Sequence, residues 1–141
     1  SPAFISTVDS GNFVGYLFVV RNVLEKENKE ELMNAVNEII ANTDFSKLYD
    51  YDKSLFSIGY DFKENNLVDS YYDLLASESR QASFIAIAKR DISYKHWFNL
   101  GRALTVVDGY KGLVSWSGTM FEYFMPYQIF FSHVESHAIY S

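Results

Sequence analysis

The chain has 141 residues, enough for one domain and too few for two of ordinary size. Its 48% apolar and 21% charged residues are those of a folded globular protein and exclude disorder. A net charge of −6, with twelve scattered Lys and Arg, excludes a phosphate-binding nucleic-acid surface, and the absence of cysteine excludes disulfides, thiolate nucleophiles and cysteine-bound zinc. The unusual quantity is the aromatic share. Eleven Tyr, twelve Phe and two Trp make 18%, enough to thicken a core or to line a groove whose ring faces stack on a ligand such as a sugar.

In chain order, the first expected element is a helix opening near Asp9 or Ser10, with Phe13, Tyr16, Leu17, Val20 and Leu24 at helical spacing. Asn28 restarts the pattern. "KEELMNAVNEIIA" sets Leu32, Val36, Ile39 and Ile40 on one face behind an acidic first turn, so the two helices form an antiparallel hairpin. From Thr43 to Asp69 the periodicity is lost. Two short extended runs around "KENN" read as an irregular hairpin or a long ordered loop. A third helix is expected from a cap at Asp69 or Ser70 to about Arg90, followed by a short helix ending at Gly101. "RALTVVDGYKGLVSWSG" reads as a second irregular connection, and a last helix starts near Ser117 or Gly118 and bends or breaks at Pro126. The longest apolar stretch, "MFEYFMPYQIFF", is too short for a membrane span, so the chain is expected to be soluble. It begins at Ser1 without a Met, which suggests a piece of something larger.

Two carboxylates stand out against apolar surroundings. On the expected third helix, Glu78 shares a stripe with Tyr71, Leu75, Ala82 and Ile85, where an ionised carboxylate must be paired, protonated or open to a polar cavity. A salt bridge to Arg21 or Arg102 is one reading and a catalytic acid is the other. Asp73 and Arg80 occupy adjoining faces, as a surface pair or as part of a pocket rim. Glu122 lies within the aromatic run after Trp116, and two such carboxylates suggest glycoside chemistry, which uses paired carboxyl groups while aromatic faces hold the sugar rings. His133 and His137 are spaced for a shared metal, but "HVESH" is not the HExxH motif and no third ligand is apparent, so no metal or other cofactor is expected. The sequence contains no GxSxG, P-loop or GxGxxG motif.

The runs "FISTVDSGN", "SLFSIGYDFKENNLVDSYYDLLASESRQASFIAIAKRDISYKHWFNLGRALT" and "LVSWSGTMFEYFMP" resemble the glycoamylase-like domain of cyclic β-1,2-glucan synthases. The resemblance implies an all-α fold, in which residues 1–141 form a partial domain of helical hairpins cut from an (α/α)6 toroid, with long irregular loops or short β-hairpins between helices. It implies retaining transglycosylation that closes linear β-1,2-glucan into a ring. It also implies a parent enzyme at the cytoplasmic side of the inner membrane, with a membrane-embedded glycosyltransferase domain that uses UDP-glucose and a phosphorylase-like domain. Residue by residue, Glu78 matches the general acid/base position, and Asp9, Tyr72, Asp73, Arg80, Trp116 and Glu122 match positions lining the glucan groove. Ser79 and Phe124 depart from the expected Ala and Leu. The family's "WGISESAY" run, with the second carboxylate, is expected beyond Ser141, so the isolated chain should be inactive. Its uncovered apolar hairpin faces should make it self-associate. A noncatalytic helical module that binds glucan or a protein is the alternative.

Overall fold

A computed structural model describes residues 4–124. Helix accounts for 46% and strand for 21%, in three small antiparallel sheets, so the expected all-α architecture is incorrect.

Strand β1 (Phe4–Ser6) runs directly into α1 (Thr7–Lys26). The helix starts two residues before the expected Asp9, because the Ser6 hydroxyl accepts from the Asp9 amide at 3.2 Å and so caps the first turn. Asn28, at φ 54°, makes the tight turn into α2 (Glu30–Asn42), which packs against α1 as expected. The buried face of α1 is not the expected one. Phe13 and Tyr16 are 55% and 51% exposed, whereas Thr7, Val8, Gly11, Val14 and Gly15 face inward. Small residues win because α3 (Arg80–Ala88) lies so close that a Cβ on Gly11 would stand 2.6 Å from the Ala82 Cβ.

The stretch after α2 is more ordered than its lost periodicity suggests. A short 3-10 turn (Phe45–Leu48) leads into β2 (Tyr49–Asp50) and β3 (Leu55–Ser57), and after Ile58 the chain continues as β4 (Gly59–Asp61), then β5 (Asn66–Leu67) and β6 (Tyr71–Tyr72). One sheet has the order β1-β4-β5 and the other β2-β3-β6, so the Ile58 interruption switches a single extended run between two sheets. Gly59 lies beside β1 so closely that a Cβ would stand 2.2 Å from the Ile5 carbonyl oxygen. The core joins Val14, Ile40, Phe45, Phe56, Ile85, Ala86 and their neighbours.

The helix expected from residue 70 begins only at Arg80. Tyr71 and Tyr72 pair with Ser57 and Phe56, Leu74 bridges to Gly101, and the Leu75 amide donates to the Gly101 carbonyl at 3.0 Å. Two adjacent tyrosines favour a pleated strand, and these long-range bonds hold the segment extended against its helical pattern. The stripe proposed for Glu78 therefore does not exist. Only Ala82 and Ile85 of it lie on α3.

The short helix before Gly101 is present as α4 (Lys95–Asn99) and inserts His96 into the core. Its Nδ1–H donates to the Ser54 carbonyl and Nε2 accepts from the Ser83 hydroxyl, while burial pushes its pKa down and keeps it neutral. The second irregular connection is instead a hairpin of β7 (Leu104–Val107) and β8 (Tyr110–Leu113), turned by Asp108 and Gly109 at φ 51° and 83°. A helix begins at residue 120, close to the expected start, whereas Pro126, His133 and His137 lie outside the described residues. No helix among the described residues is long and apolar enough to cross a membrane.

Gly11→Ala should destabilise the fold. The added methyl gains about 1 kcal/mol of helix propensity, but overpacking against the Ala82 backbone costs about 1–3 kcal/mol. A lower urea midpoint is the expected result, and an unchanged or higher one would show that α1 and α3 separate freely.

Candidate functional site

Glu78 lies in the turn between β6 and α3, not on a helix. Its backbone is fixed from both sides: the Ser77 hydroxyl contacts the Ser79 hydroxyl at 3.1 Å and accepts from the Ser79 amide at 3.2 Å, with both serines buried. Such local side-chain bonds compete with helix formation, which is why α3 starts after them. Glu78 itself is half-buried, and its Oε1 faces the Tyr72 hydroxyl at 3.5 Å, at the outer limit of a hydrogen bond. Burial, then the negative charge of Glu78, push the Tyr72 phenol up to about 12, so Tyr72 is a protonated donor at neutral pH.

The arginines offered as salt-bridge partners do not serve that role. Arg102 donates to the Leu100 carbonyl at 2.8 Å and to that of Trp97, and among the described residues Glu78 forms no ion pair with any arginine. Glu78 instead faces an aromatic cluster. The Tyr72 ring lies 5.8 Å from that of Trp116, tilted by 34°, and the Trp116 indole N–H donates to Asp73 Oδ1 at 2.8 Å. The carboxylate of Asp9, in the first turn of α1, adds to the field that keeps Tyr72 protonated. Tyr72, Asp73, Glu78 and Trp116 thus form one cluster with Asp9 near it. Arg80, at the start of α3, donates to the Tyr123 carbonyl at 3.2 Å.

Glu122 is held separately from Glu78. Its Oε2 accepts from the Ser115 hydroxyl at 3.0 Å, the Ser117 hydroxyl at 2.8 Å and the Thr119 amide at 3.1 Å, and its own amide donates to Thr119 Oγ1 at 3.4 Å. This reciprocal pair is a capping box, and "TMFE" displays its T-x-x-E signature. Burial pushes the Glu122 carboxyl up, but the bonds from Ser117, Thr119 and Ser115 outweigh it and hold the carboxyl at about 2. The serines that bind Glu122 carried no signal in the sequence that pointed to them. Gln81 was also missed. Fully buried at the start of α3, it donates from Nε2 to the Gly11 carbonyl at 3.2 Å.

A cavity of about 800 Å³ lies elsewhere, among Ile5, Phe13, Phe45, Leu48, Tyr60 and Phe62, and none of the sequence-predicted site residues lines it. Among the described residues no cluster of His, Asp or Glu could hold a metal ion.

Comparison with known proteins relates the chain to an enzyme of glucan synthesis. That relative is the cyclic β-(1,2)-glucan synthase NdvB of Rhizobium meliloti (strain 1021), 46% identical over 95 residues, which are 67% of this chain. The chain spans only 3% of the length of the synthase. No protein-family model matches the chain.

The Glu122 carboxyl sets an acid limit on stability. With its folded pKa of about 2 below the ordinary 4.5, its contribution is complete above pH 4.5 and is lost as pH falls towards 2. Glu122→Gln should lower the Tm at pH 7 and flatten its fall between pH 4.5 and 2, as thermal unfolding followed across that range would show. A wild-type curve that is flat there would contradict the assignment.

Proposed function

We propose that the chain is part of a glycoamylase-like domain acting on β-1,2-glucan, with Glu78 as general acid/base in a retaining transglycosylation. The observation that carries this reading is Glu78, without an ion pair among the described residues, facing the Tyr72 hydroxyl, whose ring contacts Trp116, in a relative of a cyclic β-(1,2)-glucan synthase.

In the first step Glu78, protonated, gives its proton to the glycosidic oxygen as the bond from that oxygen to C1 breaks. A second carboxylate, supplied by the rest of the enzyme, forms the bond to C1. In the second step the Glu78 carboxylate takes the proton of a 2-hydroxyl at the far end of the same glucan, and that oxygen displaces the second carboxylate from C1. The linkage lost is regenerated, the ring closes, and Glu78 returns to its acid form. Retention requires the two carboxyl groups about 5–5.5 Å apart. The Tyr72 hydroxyl orients Glu78, the Tyr72 and Trp116 rings face the sugars, and Asp9 and Arg80 flank the groove.

The test compares the intact parent enzyme, its Glu78→Gln variant and the isolated chain on linear β-1,2-glucan. The parent should yield cyclic product, the variant should lose at least about 100-fold in rate, and the isolated chain should be inactive. Full activity of the Glu78→Gln parent would refute the acid/base role, and turnover by the isolated chain would refute the need for a second carboxylate from elsewhere.

A further inference from the structure

Trp116 combines two properties that core packing does not explain. Its side chain is on the surface, 53% exposed, and yet its one polar atom is hydrogen-bonded within the chain. The indole N–H is held by Asp73 at 2.8 Å, and the residues on either side of it, Ser115 and Ser117, both donate to the Glu122 carboxylate. The Ser117 amide adds a bond to Glu122 Oε2 at 3.2 Å, and the Gly118 amide donates to Ser115 Oγ at 2.9 Å, so the connection from β8 to the helix at residue 120 is tied at each step. Glu122 is only 6% exposed, and its donors account for the acceptor capacity of Oε2. Oε1 takes only a share of the Ser117 amide, at 3.3 Å, so it is burial more than occupancy that keeps this carboxylate from a ligand.

We infer that Glu122 and Asp73 are positioning residues that hold Trp116 as a preorganised stacking platform beside Tyr72, and that Trp116 is the group of the three that meets the ligand. The inference rests on the glucan reading for the identity of that ligand. Its physical basis is that an exposed indole free to rotate loses rotamer freedom when a sugar stacks on it, whereas an indole already fixed by Asp73 and by its own loop does not. The platform is one ring removed from Glu78: Trp116 contacts Tyr72, and the Tyr72 hydroxyl faces Glu78. Asp73 and Glu122 approach the indole from different elements, Asp73 from the segment after β6 and Glu122 from the helix that follows Trp116, so loss of either should loosen it independently.

The 141-residue chain carries only two tryptophans, so a Trp97→Phe background leaves Trp116 as the sole indole. In that background Glu122→Gln and Asp73→Asn should each lower the steady-state anisotropy of Trp116 and shift its emission, while circular dichroism at 15 °C stays that of the folded chain. Ser115→Ala replaces Glu122→Gln if the latter does not fold. Titration with linear β-1,2-glucan oligosaccharides should show affinity reduced about tenfold in each variant. Trp116→Ala should lose more, and adding Glu122→Gln to it should cost nothing further, the non-additivity expected of a residue acting through Trp116. Equal losses with and without Trp116, or weaker binding with unaltered Trp116 anisotropy, would overturn the inference and place Glu122 in direct contact with the glucan. If the wild-type chain binds no glucan, the glucan reading fails, and the anisotropy alone decides the positioning role: a drop in both variants upholds it and no change overturns it.

Discussion

The close approach of α1 and α3 at Gly11 and Ala82 is the constraint on which the rest of the structure depends. Gly11 has no Cβ, so the helix backbones come within a distance that any other residue would block, and the buried Gln81 amide then donates across the contact to the Gly11 carbonyl. This contact fixes the first turn of α3 against the first turns of α1. The start of α1 is itself tied to the strands, since the Thr7 hydroxyl donates to the Ser57 carbonyl at 2.6 Å and the Thr7 amide to that of Ile58 at 3.0 Å. The chain of contacts therefore runs from the sheets through α1 to α3. Asp9 lies two residues before Gly11 and Glu78 three residues before Gln81, and both charges act on Tyr72.

Both segments that carry the site are irregular in backbone, and both are hydrogen-bonded through short hydroxyl side chains. The Glu78 turn is held by Ser77 and Ser79, and the Trp116 connection by Ser115, Ser117 and Thr119 through Glu122. Short hydroxyl side chains satisfy backbone groups that a helix or sheet would otherwise satisfy, which lets the chain leave regular structure without stranding buried donors. Functional groups commonly sit on such connections because their direction is not dictated by helical or strand periodicity. Placed on a helical stripe with Leu75 and Ile85, Glu78 would have pointed into the core. In the turn it is half-buried and faces Tyr72, whose ring contacts the exposed Trp116 indole.

The pattern of what the sequence revealed follows from the range of the interactions involved. The α1–α2 hairpin and α4 are legible because local periodicity and small polar residues decide them, although the Ser6 cap starts α1 early and its buried face is not the one the periodicity picks out. The segment from Tyr71 to Ser79 was not legible, because apolar spacing there fits a helix while the pairing that wins is with Phe56, Ser57 and Gly101, distant in sequence. The β7–β8 hairpin should have been readable from "VVDGYK", where Asp-Gly between β-branched and aromatic residues favours a tight two-residue turn. At the site, the resemblance picked out Tyr72, Asp73, Glu78 and Trp116, which do come together. It sets Glu78 apart as general acid/base but gives no means of separating, among the groove-lining residues, one that meets the ligand from one that holds its neighbour.

The same limit explains the inverted face of α1. Periodicity identifies a helix surface rich in Phe13, Tyr16 and Val20 and equates large apolar area with burial, since each such side chain gains about 1.5–3 kcal/mol on leaving water. Burial also requires a partner surface at the right distance. α3 presents Ala82 and Ala86, short side chains that admit a close-lying partner helix, so α1 turns Gly11, Val14 and Gly15 inward. The cost is the exposure of Phe13 and Tyr16. The gain is a distance between the helices small enough for Gln81 to bridge to the Gly11 carbonyl. Size complementarity between the two helices, more than the hydrophobicity of either, determines how closely they pack, while the Glu78 turn itself is set by the β6 pairing and by Ser77 and Ser79.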